Sequence, residues 1–213
     1  MANRNLYHMR KEYSQSSLER ENLCDSPFEQ FSLWFEKALD TEPHEANAMV
    51  LATAGPGSSP SARVVLLKSF SPQGFIFFTN YSSKKGGDIS VNNRVALLFY
   101  WPQTMRQVRV EGSAYKIDPS DSDEYFNSRP ALSKASSALS KQSSPLENRD
   151  EFDKMVNTLL NSDGEISRPD TWGGYLVKPD HFEFWQGGVG RSHDRFIYSL
   201  EGSQEWSITR LYP

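Results

Sequence analysis

The sequence predicts a mainly β protein with peripheral helices, an α+β arrangement built on an antiparallel meander or barrel. Three observations carry this. Short apolar runs recur between Asn47 and Tyr115 and again after Trp172, each bounded by a turn rich in Gly, Pro or Ser. The Gly-x-Gly start at Gly55-Pro56-Gly57 has no third glycine and no helical pattern after it, which argues against dinucleotide binding there. The long helical tract lies between the two strand groups, which are expected to share one sheet.

Taken in order, residues 1 to 25 are polar and are expected to form a mobile segment, with Arg10, Lys11 and Tyr13 able to close over a ligand. The remainder, 26–213, is expected to be a single domain. Ser26-Pro27-Phe28-Glu29 has the form of a capping box with proline in the first turn. Phe28, Phe31, Phe35 and Leu39 follow at helical spacing, beside Trp34 and Ala38, to an end near Asp40. Strands are expected from Ala48 to Ala54, Arg63 to Phe70, Phe75 to Asn80, Arg94 to Trp101 and Arg106 to Tyr115. Between the third and fourth, Ser82-Ser83-Lys84-Lys85-Gly86-Gly87 is a small basic loop leading into a short helix. Residues 118–161 are expected to be helical, interrupted around Pro130 and Pro145. Strands return at 173–178, 181–186, 195–200 and 204–210.

Composition bounds the function. Across 213 residues the net charge is −4, so no global basic field draws nucleic acid, and an anionic ligand needs a local cluster. A single cysteine, Cys24, excludes an internal disulfide and a cysteine-based zinc site. His8, His44, His181 and His193 share no metal-ligand spacing, so no metal is expected. The first residues lack a signal-peptide core, and no apolar run reaches the roughly 20 residues of a membrane helix. A cytoplasmic protein without a membrane partner is expected.

Groups suited to phosphate cluster near strand ends. Arg63 and Lys68 bracket one strand, Lys84 and Lys85 follow two serines, Arg129 and Ser133 flank Pro130, and Gln142-Ser143-Ser144 forms a polar turn. In the stretch 172–195, Phe182 and Phe184 alternate with Glu183 and Trp185 as in a half-buried strand, which Gly187 and Gly188 stop. Arg191, His193, Asp194 and Arg195 follow in a loop that is either an anion site or a solvated charged tip. In an extended loop, Arg191, His193 and Arg195 would share one side, with Asp194 bracing the other. His193 is either a general acid–base or structural. Trp172 and Trp185 serve either a flat ligand or the core.

The chain closely resembles the pyridoxine (pyridoxamine) 5′-phosphate oxidase family. The resemblance rests on Arg63-Val64-Val65-Leu66-Leu67-Lys68, Phe78-Thr79-Asn80, Arg106 to Gly112, Tyr125-Phe126 with Ser128-Arg129-Pro130, Gln142-Ser143, Trp172-Gly173-Gly174-Tyr175, Glu183 to Gly187, His193-Asp194-Arg195 and the terminal Arg210-Leu211. It implies an FMN-binding split β-barrel that works as a homodimer, with two FMN molecules in clefts between subunits. It also implies oxidation of pyridoxine or pyridoxamine 5′-phosphate to pyridoxal 5′-phosphate, with O2 as acceptor and H2O2 as product.

By position, the resemblance assigns FMN contacts to Arg63, Val64, Val65, Leu66, Phe78, Thr79, Lys84, Lys85, Gln107, Gln142, Ser143, Trp185 and Arg195. It assigns substrate contacts to Lys68, Tyr125, Arg129, Ser133, Arg191, Ser192 and His193, with Arg191 and His193 catalytic and Arg10 and Tyr13 in an amino-terminal lid. Three positions depart from the family pattern. Ser83-Lys84-Lys85 replaces Ser-Arg-Lys, Ser192 replaces the leucine of Arg-Leu-His, and Ser133-Lys134-Ala135-Ser136-Ser137 replaces Ser-Gln-Ile-Gly-Ala. The same barrel would also suit a non-catalytic flavin- or haem-binding module, or an FMN oxidoreductase with another substrate.

Overall fold

The computed structural model describes residues 17–42, 44–202 and 205–213. Nine strands form one sheet: β1 (Ala48–Ala54), β2 (Pro60–Leu66), β3 (Ser69–Ser71), β4 (Gly74–Asn80), β5 (Arg94–Trp101), β6 (Arg106–Lys116), β7 (Trp172–Gln186), β8 (Asp194–Glu201) and β9 (Glu205–Leu211). Among the described residues five α-helices accompany it: α1 (Pro27–Thr41), α2 (Lys84–Val91), α3 (Pro119–Ser128), α4 (Ala131–Leu139) and α5 (Arg149–Leu160). The strand order is β2-β1-β5-β6-β7-β4-β3, and β8 pairs with β7 and β9. The two strand groups therefore do share one sheet.

Two of the expected strand boundaries change. Arg63 to Phe70 is two strands, because the chain changes partner at Leu67 and Lys68. Leu67 turns inward and its amide bonds to the Asn47 carbonyl, next to β1, while the Lys68 amide bonds to Ile76 on β4. Conversely, 173–178 and 181–186 are one strand. Residues 172–177 of β7 pair antiparallel with β4, and residues 181–186 pair with β8.

The chain divides into two compact units. One comprises residues up to Ala46 with Leu98–Val110 and Asp180–Pro213. Here α1 buries Phe28, Phe31, Trp34 and Ala38, while Leu39, expected on that face, is exposed. Phe31 meets Phe99 at 5.0 Å, and Trp34 meets Phe184 edge-on at 5.3 Å. The expected capping box does not form, since the Ser26 side chain makes no capping bond. Gln30 instead turns back and accepts from the Cys24 amide. Residues 17–25, placed by sequence in the mobile segment, are anchored. Leu18 and Leu23 are buried, the Leu18 amide donates to Asp194, and Tyr198 Oη donates to the Cys24 carbonyl.

The second unit, Asn47–Leu97 with Glu111–Pro179, buries Met49, Leu51, Phe75, Phe77, Leu97 and Val177. The β3–β4 hairpin turns through Pro72 and Gln73 into Gly74, whose φ of 140° disfavours other residues and whose missing side chain makes room for the Val177 carbonyl. Gly74→Ala is expected to destabilise the protein by about 2–4 kcal/mol, combining backbone strain with overlap against a fixed backbone oxygen. Chemical denaturation measures the loss.

Candidate active site

A polar cluster lies in the second unit, where the end of β4, the start of α2 and the loop after α4 meet. Ser83 caps α2, its hydroxyl accepting from the Gly86 amide and donating to the Asn80 carbonyl. That cap sets Lys85 inward, 9% exposed. The Lys85 ammonium donates to Gln142 Oε1 at 2.8 Å and to Thr79 Oγ1 and Ser83 Oγ at 3.1 Å each, all neutral oxygens. Burial, reinforced by the charge of Arg63, pulls the Lys85 pKa from 10.5 down to about 8.

Arg63 is held by the Leu51 carbonyl, Thr53 and Ser61. Buried Asp88 accepts from Thr53 Oγ1 at 2.7 Å and from Lys84 at 3.3 Å, and lies 3.9 Å from Arg63. The bond from Thr53, helped by Lys84 and Arg63 and opposed by burial, holds the Asp88 carboxyl below the usual range. Ser143, at φ 76°, accepts the Lys84 amide. Arg63, Thr79, Lys84, Lys85, Gln142 and Ser143, all assigned from sequence to one role, thus converge. Asp88, which orients two of the cations, was missed. An acidic residue one helical turn after Lys84 was the available signal. Val64 and Leu66 point outward on β2, 65% and 42% exposed, and Val65 is half-buried on the opposite face with Arg63.

A second cluster in the same unit is aromatic and cationic. Phe78 stacks on Tyr125 at 4.0 Å and on Trp172 at 5.4 Å. The Arg129 guanidinium lies 4.6 Å above Trp172, and Lys68 lies 5.8 Å from the Tyr125 ring. Arg129 also donates to Ser137 Oγ at 3.0 Å. Ser137 is a position where the chain departs from the family pattern, and its role was not legible. Ser133 is half-buried one helical turn earlier on α4. Burial lowers the Arg129 pKa, against a smaller opposing effect of Tyr125.

The stretch 183–195 belongs to the first unit. Glu183 was expected on a half-exposed face and is instead buried, bridging Arg195 Nε and Arg109 Nη2 at 2.8 Å each. Residues 189–191 form a 3-10 turn in which Gly190 and Arg191 both have positive φ, so the expected extended alternation of 191, 193 and 195 does not hold. Arg191 and Ser192 are exposed. The His193 ring rests on Trp185, centroids 4.6 Å apart, and its Nδ1 accepts from the Gly188 amide, leaving Nε2 to carry the proton of the neutral ring. Asp194 pairs with Arg210, not with the arginines beside it in sequence, and also accepts from the Leu18 amide. Gln107 is half-buried on β6. Arg10 and Tyr13 lie outside the described residues. Among the described residues no helix is long and apolar enough to cross a membrane, and no group of three metal-ligating side chains occurs.

A buried ammonium with only hydroxyl and amide oxygens, next to an arginine, fits a phosphate group well, since a dianion would supply the charge the protein withholds. The class defined by this sheet and these cation clusters is the split β-barrel. It matches PhzG of Burkholderia lata 383, solved with tetrahydrophenazine-1-carboxylic acid, at TM-score 0.88 and 28% identity over 94% of this chain and 100% of that one. A pyridoxamine 5′-phosphate oxidase-related, FMN-binding protein of Nostoc punctiforme shares the fold at TM-score 0.70 and 18% identity, over 88% and 98% of the chains.

The chain belongs to the pyridoxamine 5′-phosphate oxidase family. The family model covers residues 35–161, and the model of the pyridoxine 5′-phosphate oxidase C-terminal dimerisation region covers 172–213. Relatives named pyridoxine/pyridoxamine 5′-phosphate oxidase from Cytophaga hutchinsonii and Rubrobacter xylanophilus are each 46% identical, over 98% and 100% of this chain and 99% and 98% of theirs.

Lys85 yields a pH prediction for the ligand-free protein. Its folded pKa of about 8 lies below the unfolded value of 10.5, so between these values the unfolded chain binds more protons and stability rises with pH. Raised tyrosine pKa values, such as that of Tyr175, oppose this only above pH 10. Denaturation at pH 7 to 10 is expected to show that rise, and Lys85→Met is expected to abolish it.

Proposed function

We propose that the protein is an FMN-dependent oxidase converting pyridoxine or pyridoxamine 5′-phosphate to pyridoxal 5′-phosphate, with O2 as acceptor and H2O2 as product, acting as a homodimer. The observation that carries this reading is the presence of two separate phosphate-suited groups in one unit. Lys85, Thr79, Gln142 and Arg63 form the first, and Lys68, Tyr125 and Arg129 beside Phe78 and Trp172 form the second. A carrier of one flavin needs only one such group. The family membership and the dimerisation-region match support the same reading.

Bound FMN would supply a two-electron acceptor for hydride from the substrate's 4′ carbon, the 4′ hydroxyl or amine would give up the second proton, and O2 would take both up as H2O2; for the amine, water would then hydrolyse the resulting imine with release of ammonia. The protein's own groups bind and orient. Arg63, Lys84, Lys85, Gln142 and Ser143 would hold the cofactor phosphate. Val64, Val65, Leu66, Phe78, Gln107, Trp185 and Arg195 would contact the rest of the cofactor. Lys68, Tyr125, Arg129 and Ser133 would take the substrate phosphate, with Ser192 as a further substrate contact. His193, with Nε2 carrying its proton, and Arg191 would steady charge on the substrate ring as hydride leaves. The PhzG likeness favours a second reading, in which the same cations take an aromatic carboxylate.

Mass spectrometry of the ligand released on denaturation is expected to give FMN, and FAD or no flavin after reconstitution defeats the proposal. Arg129→Ala is expected to raise KM for the phosphorylated substrate roughly 10- to 100-fold, the equivalent of one charged hydrogen bond, with flavin still bound. An unchanged KM removes Arg129 from the substrate phosphate, and turnover of an aromatic acid instead establishes the second reading.

A further inference from the structure

Glu183 is 3% exposed, yet its two nearest partners are not buried with it, since the Arg195 and Arg109 side chains keep 29% and 40% of their surface. The carboxylate thus lies beneath two partly exposed arginine side chains. Its oxygens are divided, with Oε1 accepting Arg195 Nε and Oε2 facing Arg109 Nη2 at 2.8 Å each. Arg195 Nη1 donates to the Tyr212 carbonyl at 3.2 Å, so two of the three guanidinium nitrogens are fixed. Among the described residues Arg195 Nη2 has no hydrogen-bond partner. In the β7–β8 register Trp185 lies opposite Arg195 and Glu183 opposite Ile197, so Glu183, Trp185 and Arg195 share one face of the sheet. A buried carboxylate between two arginines is a poor device for stability alone, because well-packed apolar side chains usually do as well. It is effective at locking a planar fork in one orientation.

We propose that Glu183 is a positioning residue, which holds the Arg195 guanidinium so that Nη2 is presented beside Trp185 to an acceptor on the flavin. This rests on the reading of Arg195 and Trp185 as cofactor contacts.

The test is a double-mutant cycle on FMN affinity, read by quenching of FMN fluorescence as flavin-stripped full-length protein is titrated. Glu183→Gln is expected to raise the FMN Kd about 10- to 100-fold, the value of an oriented charged hydrogen bond. Arg195→Ala is expected to do the same, and the double variant to be no weaker than Arg195→Ala alone. Should Glu183→Gln not fold, Glu183→Leu combined with Arg109→Leu removes the buried carboxylate together with one of its two arginines while retaining apolar packing, and the same rise in Kd is expected. Wild-type affinity in either Glu183 variant, or effects that multiply in the double variant, overturns the inference while leaving the reading of Arg195 intact. Wild-type affinity in Arg195→Ala overturns both.

Discussion

Lys85 carries a positive charge into a site where the protein supplies only neutral oxygens, and the surrounding backbone is arranged to supply them. Thr79 comes from the end of β4, Ser83 from the cap of α2 and Gln142 from the loop beyond α4. Bringing these together needs secondary contacts. Asn80 ties the loop down through the Ser140 carbonyl and accepts the Ser82 amide. Gly86 sits where any Cβ would overlap the Tyr81 carbonyl, so the helix can start directly against the turn. Ser143 takes a left-handed conformation that a serine adopts only under constraint. The depressed Lys85 pKa expresses the same fact electrostatically. The site has the donors and geometry for an anion but lacks the anion's charge.

Trp172 organises the neighbouring cluster in a different way. Phe78 and Tyr125 stack parallel to it, Phe126 meets it edge-on at 5.2 Å, and Arg129 lies on its face. Its carbonyl is fixed by Arg168, itself paired with Asp123 on α3 at 2.7 Å. The two glycines after it serve close packing. A Cβ at Gly173 would overlap the Tyr81 hydroxyl and one at Gly174 the Ile117 side chain, while Tyr81 Oη donates to the Gly174 carbonyl. The Trp-Gly-Gly sequence is therefore a fitted floor beneath a stacked aromatic group, with Arg129 held flat by the indole and laterally by Ser137.

Turn chemistry and periodicity made most of the architecture legible. Gly- and Pro-containing turns marked strand ends, Pro130 and Pro145 separated the helices, and the family resemblance, not local spacing, put Arg63, Lys84 and Lys85 in one set. What sequence could not give was partner choice. The break at Leu67 and Lys68 is invisible in an apolar run, because it arises from exchanging β1 for β4 as the hydrogen-bonding partner. Glu183 reads as a surface position by alternation, and only the arrival of Arg109 and Arg195 from neighbouring strands makes its burial tolerable. Asp194 was recognisable as a brace, but its partner Arg210 lies on another strand. The positive φ at Arg191 defeated a side-alternation argument that holds only for extended backbone.

The direction in which each cation is shifted separates two kinds of site in a protein whose net charge is −4. Burial lowers the pKa values of Lys85, Arg63 and Arg129, so each gains from an arriving anion. Bonds to Glu183 and Asp194 raise those of Arg195 and Arg210, whose charge is already answered within the protein. Arg106 is lowered as well, but it is stacked on Trp34 at 4.5 Å and donates to Gln186, so its burial serves packing. Arg195 differs, since Glu183, which it shares with Arg109, and the Tyr212 carbonyl fix its fork in one orientation.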